Sequence, residues 1–131
     1  MSRAQALVEL AVCVPIVMVM AVGAAACVQV ADARSGLDAA TQAAAATAAR
    51  APDAATASAS ARRRFDSVVA AYPLRQPVIS IALGGFQRAS LITVTSAATV
   101  DIGWAGLLHL PLGAVLEARA VAHLESWRTH R

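Results

Sequence analysis

The sequence predicts an α+β protein with one long N-terminal helix, a second shorter helix and a small antiparallel sheet of about three strands. Three observations predict this class. Residues 10–31 contain no charged side chain, and the alanine-rich sequence after them has no proline until Pro52. From residue 77 onward, β-branched residues in alternating patterns replace the helical ones. The expected long helix is transmembrane in its first half.

The uncharged run, "LAVCVPIVMVMAVGAAACVQVA", would extend about 33 Å as a helix, which matches the hydrocarbon thickness of a bilayer. A chain of this length could hardly bury such a helix on all sides. The run is longer than the apolar region of a cleaved secretory signal, so a retained anchor is the favoured interpretation. A secretory signal stays open as an alternative, as does a lipoprotein signal that ends in "AAAC" with Cys27 as the lipidated residue.

The helix is expected to continue beyond the membrane through "DARSGLDAATQAAAATAAR", because alanine has the highest helix propensity. Pro52 disfavours helix at Ala51 and predicts the end there. One helix over about residues 5–50 would be roughly 70 Å long. Partial disorder of the Ala/Thr/Ser-rich residues 38–61 is the alternative.

A second helix is predicted to begin after Asp53, a suitable N-cap residue, and to end before Pro73. Its apolar face comprises Phe65, Val68, Val69 and Tyr72 at helical spacing. The basic run Arg62, Arg63 and Arg64 falls on the polar side. This run is either a solvated face or a contact with lipid headgroups or an assembly partner.

Three segments are predicted to form the sheet. "PVISIAL" is rich in β-branched residues and precedes a tight turn at Gly84–Gly85, and "LITVTS" alternates as a half-buried strand does. "GAVLEARAVAHLESW" is read as a third strand, with a helix as the alternative. The connection "DIGWAGLLHLPLG" is apolar for a loop, so Trp104, Leu107 and Leu108 are expected either to cover the sheet or to form a subunit interface.

No residue pattern indicates catalysis, and an enzyme is not expected. His109, His123 and His130 lack metal-ligand spacing, and no glycine-rich phosphate loop or nucleophile motif is found. All eleven basic residues are arginine, scattered without interleaved aromatic residues, which argues against nucleic-acid binding. No cofactor, metal ion or small-molecule substrate is expected.

The N-terminal "RAQALVELAVCVPIVMVM", residues 3–20, resembles the start of TadE-like minor pseudopilins of the tight-adherence (Flp) pilus system. Those chains have a short basic leader, a glycine, and a segment similar to Q-A-L-V-E-F-A-L-V-L-P. Two positions differ, since Ala4 stands where the family has Gly and Leu10 where it has an aromatic residue. The matching positions are Gln5, Ala6, Leu7, Val8, Glu9, Ala11 and Pro15.

The resemblance implies that a prepilin peptidase cuts between Ala4 and Gln5. Glu9 would then be buried in lipid and pair with the new α-amino group of Gln5, in the same or a neighbouring subunit. The alternative for Glu9 is a position at the headgroup level, in contact with water and lipid. Pro15 would kink the helix, either as a flexible point for extraction from the bilayer or without consequence.

The resemblance also implies a domain division, a location and a function. The divisions are a leader at 1–4, a transmembrane half-helix at 5–31, its extracytoplasmic continuation at 32–51, and a small α+β domain at 52–131. The chain would be a single-pass protein of the bacterial cytoplasmic membrane, with its C-terminal domain outside. It would act without catalysis in pilus assembly, with membrane lipid, other Flp/Tad pilins and the assembly platform as partners. The alternative is an exported, membrane-anchored or Cys27-lipidated binding domain unrelated to pili.

Overall fold

A computed structural model describes residues 2–86, 90–104 and 113–124 of the chain. Within these residues two helices are followed by a three-stranded antiparallel meander in the order β1-β2-β3. This confirms the predicted α+β class. The elements are α1 at Arg3–Ala49, α2 at Ala54–Val69, β1 at Leu74–Ala82, β2 at Leu91–Asp101 and β3 at Gly113–His123.

Helix α1 is continuous over 47 residues, as predicted, and is about 70 Å long. It begins after Ser2, whose side-chain oxygen accepts a hydrogen bond from the backbone N–H of Gln5 at 3.4 Å. It ends at Ala49, just before the segment in which Pro52 excludes helical geometry at the preceding residue.

Helix α2 starts at the predicted cap. One carboxylate oxygen of Asp53 accepts from the backbone N–H of Thr56 at 2.7 Å, and the other accepts from the Thr56 hydroxyl at 3.0 Å. The helix ends at Val69, so the prediction that Tyr72 lies on its apolar face is wrong, and Tyr72 follows the helix in a turn. Its buried stripe repeats every fourth residue, through Ala57, Ala61, Phe65 and Val69.

The second half of α1 supplies one side of the core. It packs against α2 on one flank and against β2 and β3 on the other. Most of its buried residues are alanine, whose small side chain lets neighbouring backbones approach closely. The buried residues of α1 are Ala33, Gly36, Leu37, Ala40, Thr41, Ala44, Ala45 and Ala48.

The sheet buries one face only, against α1. Strand β2 alternates as predicted, and its inward residues are Ile92, Val94, Ser96, Ala98 and Val100. The third segment is a strand and not a helix. Its even-numbered residues from Leu116 to Ala120 are buried, while Glu117, Arg119 and Val121 point to the other face.

Strand β1 begins at Leu74, three residues earlier than the change of pattern at residue 77 predicts. The pairing with β2 is irregular between Arg75 and Val78, and Gln76 has a positive φ of 49°. Pro77 has no N–H to donate, which an edge strand with a bulge tolerates. After β1 the chain turns at Gly84–Phe86, where Gly84 and Gly85 adopt the positive φ values that favour glycine.

One polar pair crosses the apolar interface between α1 and β2. The Thr41 hydroxyl donates to the carbonyl of Leu37 at 2.7 Å, and its oxygen lies 2.6 Å from the Ser96 hydroxyl. Since threonine has a single O–H, the Ser96 hydroxyl is the donor to Thr41. Thr41 is 1% and Ser96 5% exposed, so water does not satisfy this pair. The bond therefore favours a single register of α1 on the sheet.

Replacing Thr41 with Val, which has a similar shape, leaves the buried Ser96 hydroxyl without an acceptor. We expect Thr41→Val to lower the free energy of unfolding by about 1–3 kcal/mol. The double variant Thr41→Val/Ser96→Ala removes both polar groups, so its free energy of unfolding should fall by less than that of Thr41→Val. Denaturant unfolding of the full chain in detergent micelles measures both, and a double variant less stable than the single one would contradict this account.

Gly36 lets the aromatic ring of Tyr72 lie directly on α1. A Cβ atom added at Gly36 would overlap three ring atoms of Tyr72. Tyr72 follows α2 and precedes β1, with its N–H bonded to the carbonyl of Val69 at 3.0 Å. The contact therefore ties the connection between α2 and β1 to the side of α1.

The overlap predicts that Gly36→Ala destabilises the domain by about 1–3 kcal/mol, although Ala is the better helix former. Gly23→Ala on the same helix is the matched control, because no atom lies within 4 Å of its added Cβ. Thermal unfolding followed by near-ultraviolet circular dichroism compares them. In a chain that already carries Tyr72→Ala, adding Gly36→Ala should lower the stability by less than it does in the wild type. An equal loss of stability in both backgrounds would refute the steric cause.

The cap of α2 also predicts a pH dependence. The Thr56 backbone and side-chain hydrogen bonds hold the pKa of Asp53 below its ordinary value of 3.8. Capping therefore contributes fully above that ordinary pKa and is lost as the pH falls through the lower pKa of the folded state. Asp53→Asn keeps a capping oxygen that does not titrate. Acid titration of the helical signal should show a shallower loss for Asp53→Asn than for the wild type, and identical curves would contradict the role of Asp53.

Candidate functional site

The first half of α1 is the most unusual surface of the molecule. Every residue from 2 to 25 is exposed, over a length of about 36 Å. We call residues 2–25 the free segment. Its exposed large apolar residues are Leu7, Val8, Leu10, Val12, Val14, Ile16, Val17, Met18, Val19, Met20 and Val22.

A continuous apolar surface of this size is rare on soluble monomers and marks contact with a membrane or with other proteins. The helix is long enough and apolar enough to span a membrane, and no residue of its most apolar window is buried within this chain. The buried stripe of α1 begins only at Ala33, beyond the uncharged run. One helix therefore carries two surfaces of different kinds, first the free segment and then the stripe that enters the core.

Glu9 is the only charged residue between Arg3 and Asp32. It lies exposed on the free segment, and its side chain has no hydrogen-bond or ion-pair partner within residues 2–86, 90–104 and 113–124. Gln5 lies four residues before it, so the two residues share one helix face. The side chain of a helical residue tilts toward the N-terminus, which directs the Glu9 carboxylate toward Gln5.

The peptide bond between Ala4 and Gln5 lies in the first turn of α1, and both residues are exposed. The N–H of Gln5 bonds to the carbonyl of Ser2 at 3.1 Å as well as to its hydroxyl. Further along, α1 continues on both sides of Pro15. Cys13 and Cys27 are free thiols exposed on the same helix.

The other residues predicted as interfaces belong to separate elements. Arg62, Arg63 and Arg64 are exposed on α2, on the polar side as predicted. Trp104 is half-buried and packs against the core. Leu107 and Leu108 lie outside the described residues, and an interface at any of these positions stays a prediction.

The outer face of the sheet is a surface that the sequence analysis did not single out. A shallow depression there is lined by Val78, Thr95, Ala97, Glu117 and Arg119. An exposed ion pair, Arg75–Asp101 at 3.1 Å, lies on two neighbouring strands. The alternation of β3 distinguished its two faces in sequence, but nothing in the sequence showed that α1 covers only one of them.

Within the described part of the chain, no group of three or more His, Cys, Asp or Glu side chains could hold a metal ion. Comparison of the chain with protein-family models, curated proteins and solved structures found no match. The fold and the site thus define a class by their own features. It is an α+β domain whose longest helix extends beyond the core with an exposed apolar surface.

Proposed function

We propose that this chain is a TadE-like minor pseudopilin of a tight-adherence pilus assembly machine, assembled through the free segment of α1. The observation that carries the proposal is the carboxylate of Glu9, the only charge in the exposed residues 4–25 of α1, which has no side-chain partner among the described residues. A plain membrane anchor needs no carboxylate there. An assembly helix gains from one if a neighbouring subunit supplies a cation.

The proposed partner of Glu9 is an amino group made by proteolysis. A cut between Ala4 and Gln5 removes Ser2 and its cap, and it places a positive charge one helical turn before Glu9. The negative side chain also lies near the positive end of the helix dipole. Because lipid excludes water, attraction between the two charges is stronger there than in solution.

The same pair can set the position of one subunit on the next. In a bundle of parallel helices, the Glu9 carboxylate of one chain can reach the Gln5 amine of its neighbour instead of its own. A charge left unpaired in lipid is costly, so helix arrangements that pair every carboxylate with an amine are favoured. Small residues such as Gly23 along the helix permit close packing of this kind.

The proposal includes a location and a set of partners. Residues 5–31 span the bacterial cytoplasmic membrane once, and the α+β domain lies outside the cytoplasm. A prepilin peptidase processes the chain, and other Flp/Tad pilins and the assembly platform bind it. The protein acts as a structural component without catalysis, whether in the fibre or in its priming.

The cleavage is tested on protein purified from its host membrane, by intact mass and N-terminal sequencing. We expect the mature chain to begin at Gln5, because a peptidase that requires a small residue accepts Ala4. Ala4→Gly should be processed at the same bond, and Ala4→Leu should accumulate uncut. A diacylated chain that begins at Cys27, or a chain that begins after residue 31, would instead establish the lipoprotein or signal-peptide alternative.

The charge pair is tested with Glu9→Ala and the uncharged isostere Glu9→Gln. Both should insert into the membrane as the wild type does and should fail to co-purify with the other pilins. Cys13→Ala is the matched control, since it changes an exposed residue one turn further along the helix without altering charge. Normal co-purification of both Glu9 variants would show that the carboxylate has no role in assembly.

A further inference from the structure

We propose that the end of the α+β domain from which α1 leaves rests on the bilayer surface, with Trp104 in the interfacial layer. This inference rests on the membrane span within the proposed function and not on pilus assembly. It follows from three observations. They are the direction of α1 relative to the sheet, the distances along α1 and β2 from their shared contact, and the length of α1 that lies outside the domain.

Two contacts give the direction of α1. Gly36 touches Tyr72, which lies two residues before the Leu74–Val100 pair of the sheet. At the opposite end, α1 residues from Gln42 to Ala46 border the same groove as residues 119–122 of β3. Helix α1 and strand β2 are therefore antiparallel. The lower-numbered residues of α1 and the higher-numbered residues of β2 lie at the same end of the domain, which is the end nearer the membrane. The end of β2 at Asp101 and the start of β3 at Gly113 both face the bilayer side.

The Thr41–Ser96 contact lets the heights be compared, because it places one residue of each element at the same level. From Thr41 to Ala31, the last residue of the uncharged run, is ten residues of helix, or about 15 Å. From Ser96 to Asp101 is five residues of strand, or about 17 Å. Asp101 therefore lies level with the end of the uncharged run, and Trp104 follows three residues later.

No length of free helix separates the domain from the membrane. Ala26 and Val30 lie within the uncharged run and are half-buried against the core, so the domain already covers the last part of that run. The exposed part of the proposed span, residues 5–25, is about 32 Å long, and a hydrocarbon core is about 30 Å thick. A helix that crosses the hydrocarbon core with residues 5–25 thus brings the domain end down to the headgroups.

The side chains at this end suit the interfacial layer. Trp and Tyr are enriched there, because an apolar ring can face the lipid while the N–H or O–H bonds to water and headgroups. Trp104 is half-buried and lies at this end. The described residues that follow Asp101 at this end, Ile102 to Trp104, carry no charge to desolvate.

The test uses the fluorescence of Trp104 in the full chain with Trp127→Phe, reconstituted into phosphatidylcholine vesicles. Some vesicles carry bromine on the acyl chains near the headgroup, which quenches tryptophan at close range. We expect Trp104 to lose a large part of its emission in the brominated vesicles and to resist quenching by aqueous acrylamide.

A matched control places the only tryptophan at the far end of the same sheet. Val121 is exposed, and its partner Thr93 lies about 27 Å along β2 from Asp101. In the chain with Trp104→Phe, Trp127→Phe and Val121→Trp, brominated lipid should have no effect and acrylamide should quench. Circular dichroism of this control verifies that it folds.

Flotation of the vesicles on a density gradient tests the membrane span separately from the position of Trp104. A chain that does not float with the vesicles overturns both the membrane span and this inference. A chain that floats while Trp104 is untouched by brominated lipid overturns the inference alone and leaves the span in place. Quenching of Trp104 but not of the tryptophan at position 121 supports both.

Discussion

The structure depends on α1, a single continuous helix whose first half is exposed and whose second half packs against the rest of the domain. Its second half covers the sheet, since the apolar face of a single sheet has to be buried against another element. Its first half is exposed from residue 2 to residue 25. Because no break separates the two halves, whatever binds the first half of α1 also determines the position of the domain. The position of the domain is thus a property of the helix and not of a linker.

Small residues make this arrangement possible. Alanines at Ala40, Ala44 and Ala48 let both α2 and the sheet pack against a single helix, and Gly36 admits an aromatic ring. Such contacts bury little apolar area per residue, so close approach has to compensate for small side chains. The buried Thr41–Ser96 bond adds directional specificity that alanine contacts lack. The result is a domain whose register on the helix depends on a few defined contacts.

Much of the fold was predictable because its signals are local. Asp53 was identified as a cap and Pro52 as the limit of α1, since both act on neighbouring backbone groups. The alternation in β2 and β3 indicated strands for the same reason. The start of β1 was missed because the irregular pairing around Gln76 depends on β2, which is distant in sequence. In the candidate site, Glu9 was recognisable from sequence because it is the only charged residue between Arg3 and Asp32.

The sequence by itself determined which residues form the apolar run, where α1 ends and α2 begins, and that Glu9 is the only charge between Arg3 and Asp32. These properties follow from composition and from interactions within a few residues along the chain. Only the tertiary structure decided which face of the sheet α1 covers, that Tyr72 packs on Gly36, and that Trp104 lies at the end where α1 leaves the domain. Those outcomes depend on contacts between residues far apart in sequence, and the lowest free energy of packing, not local preference, selects among them.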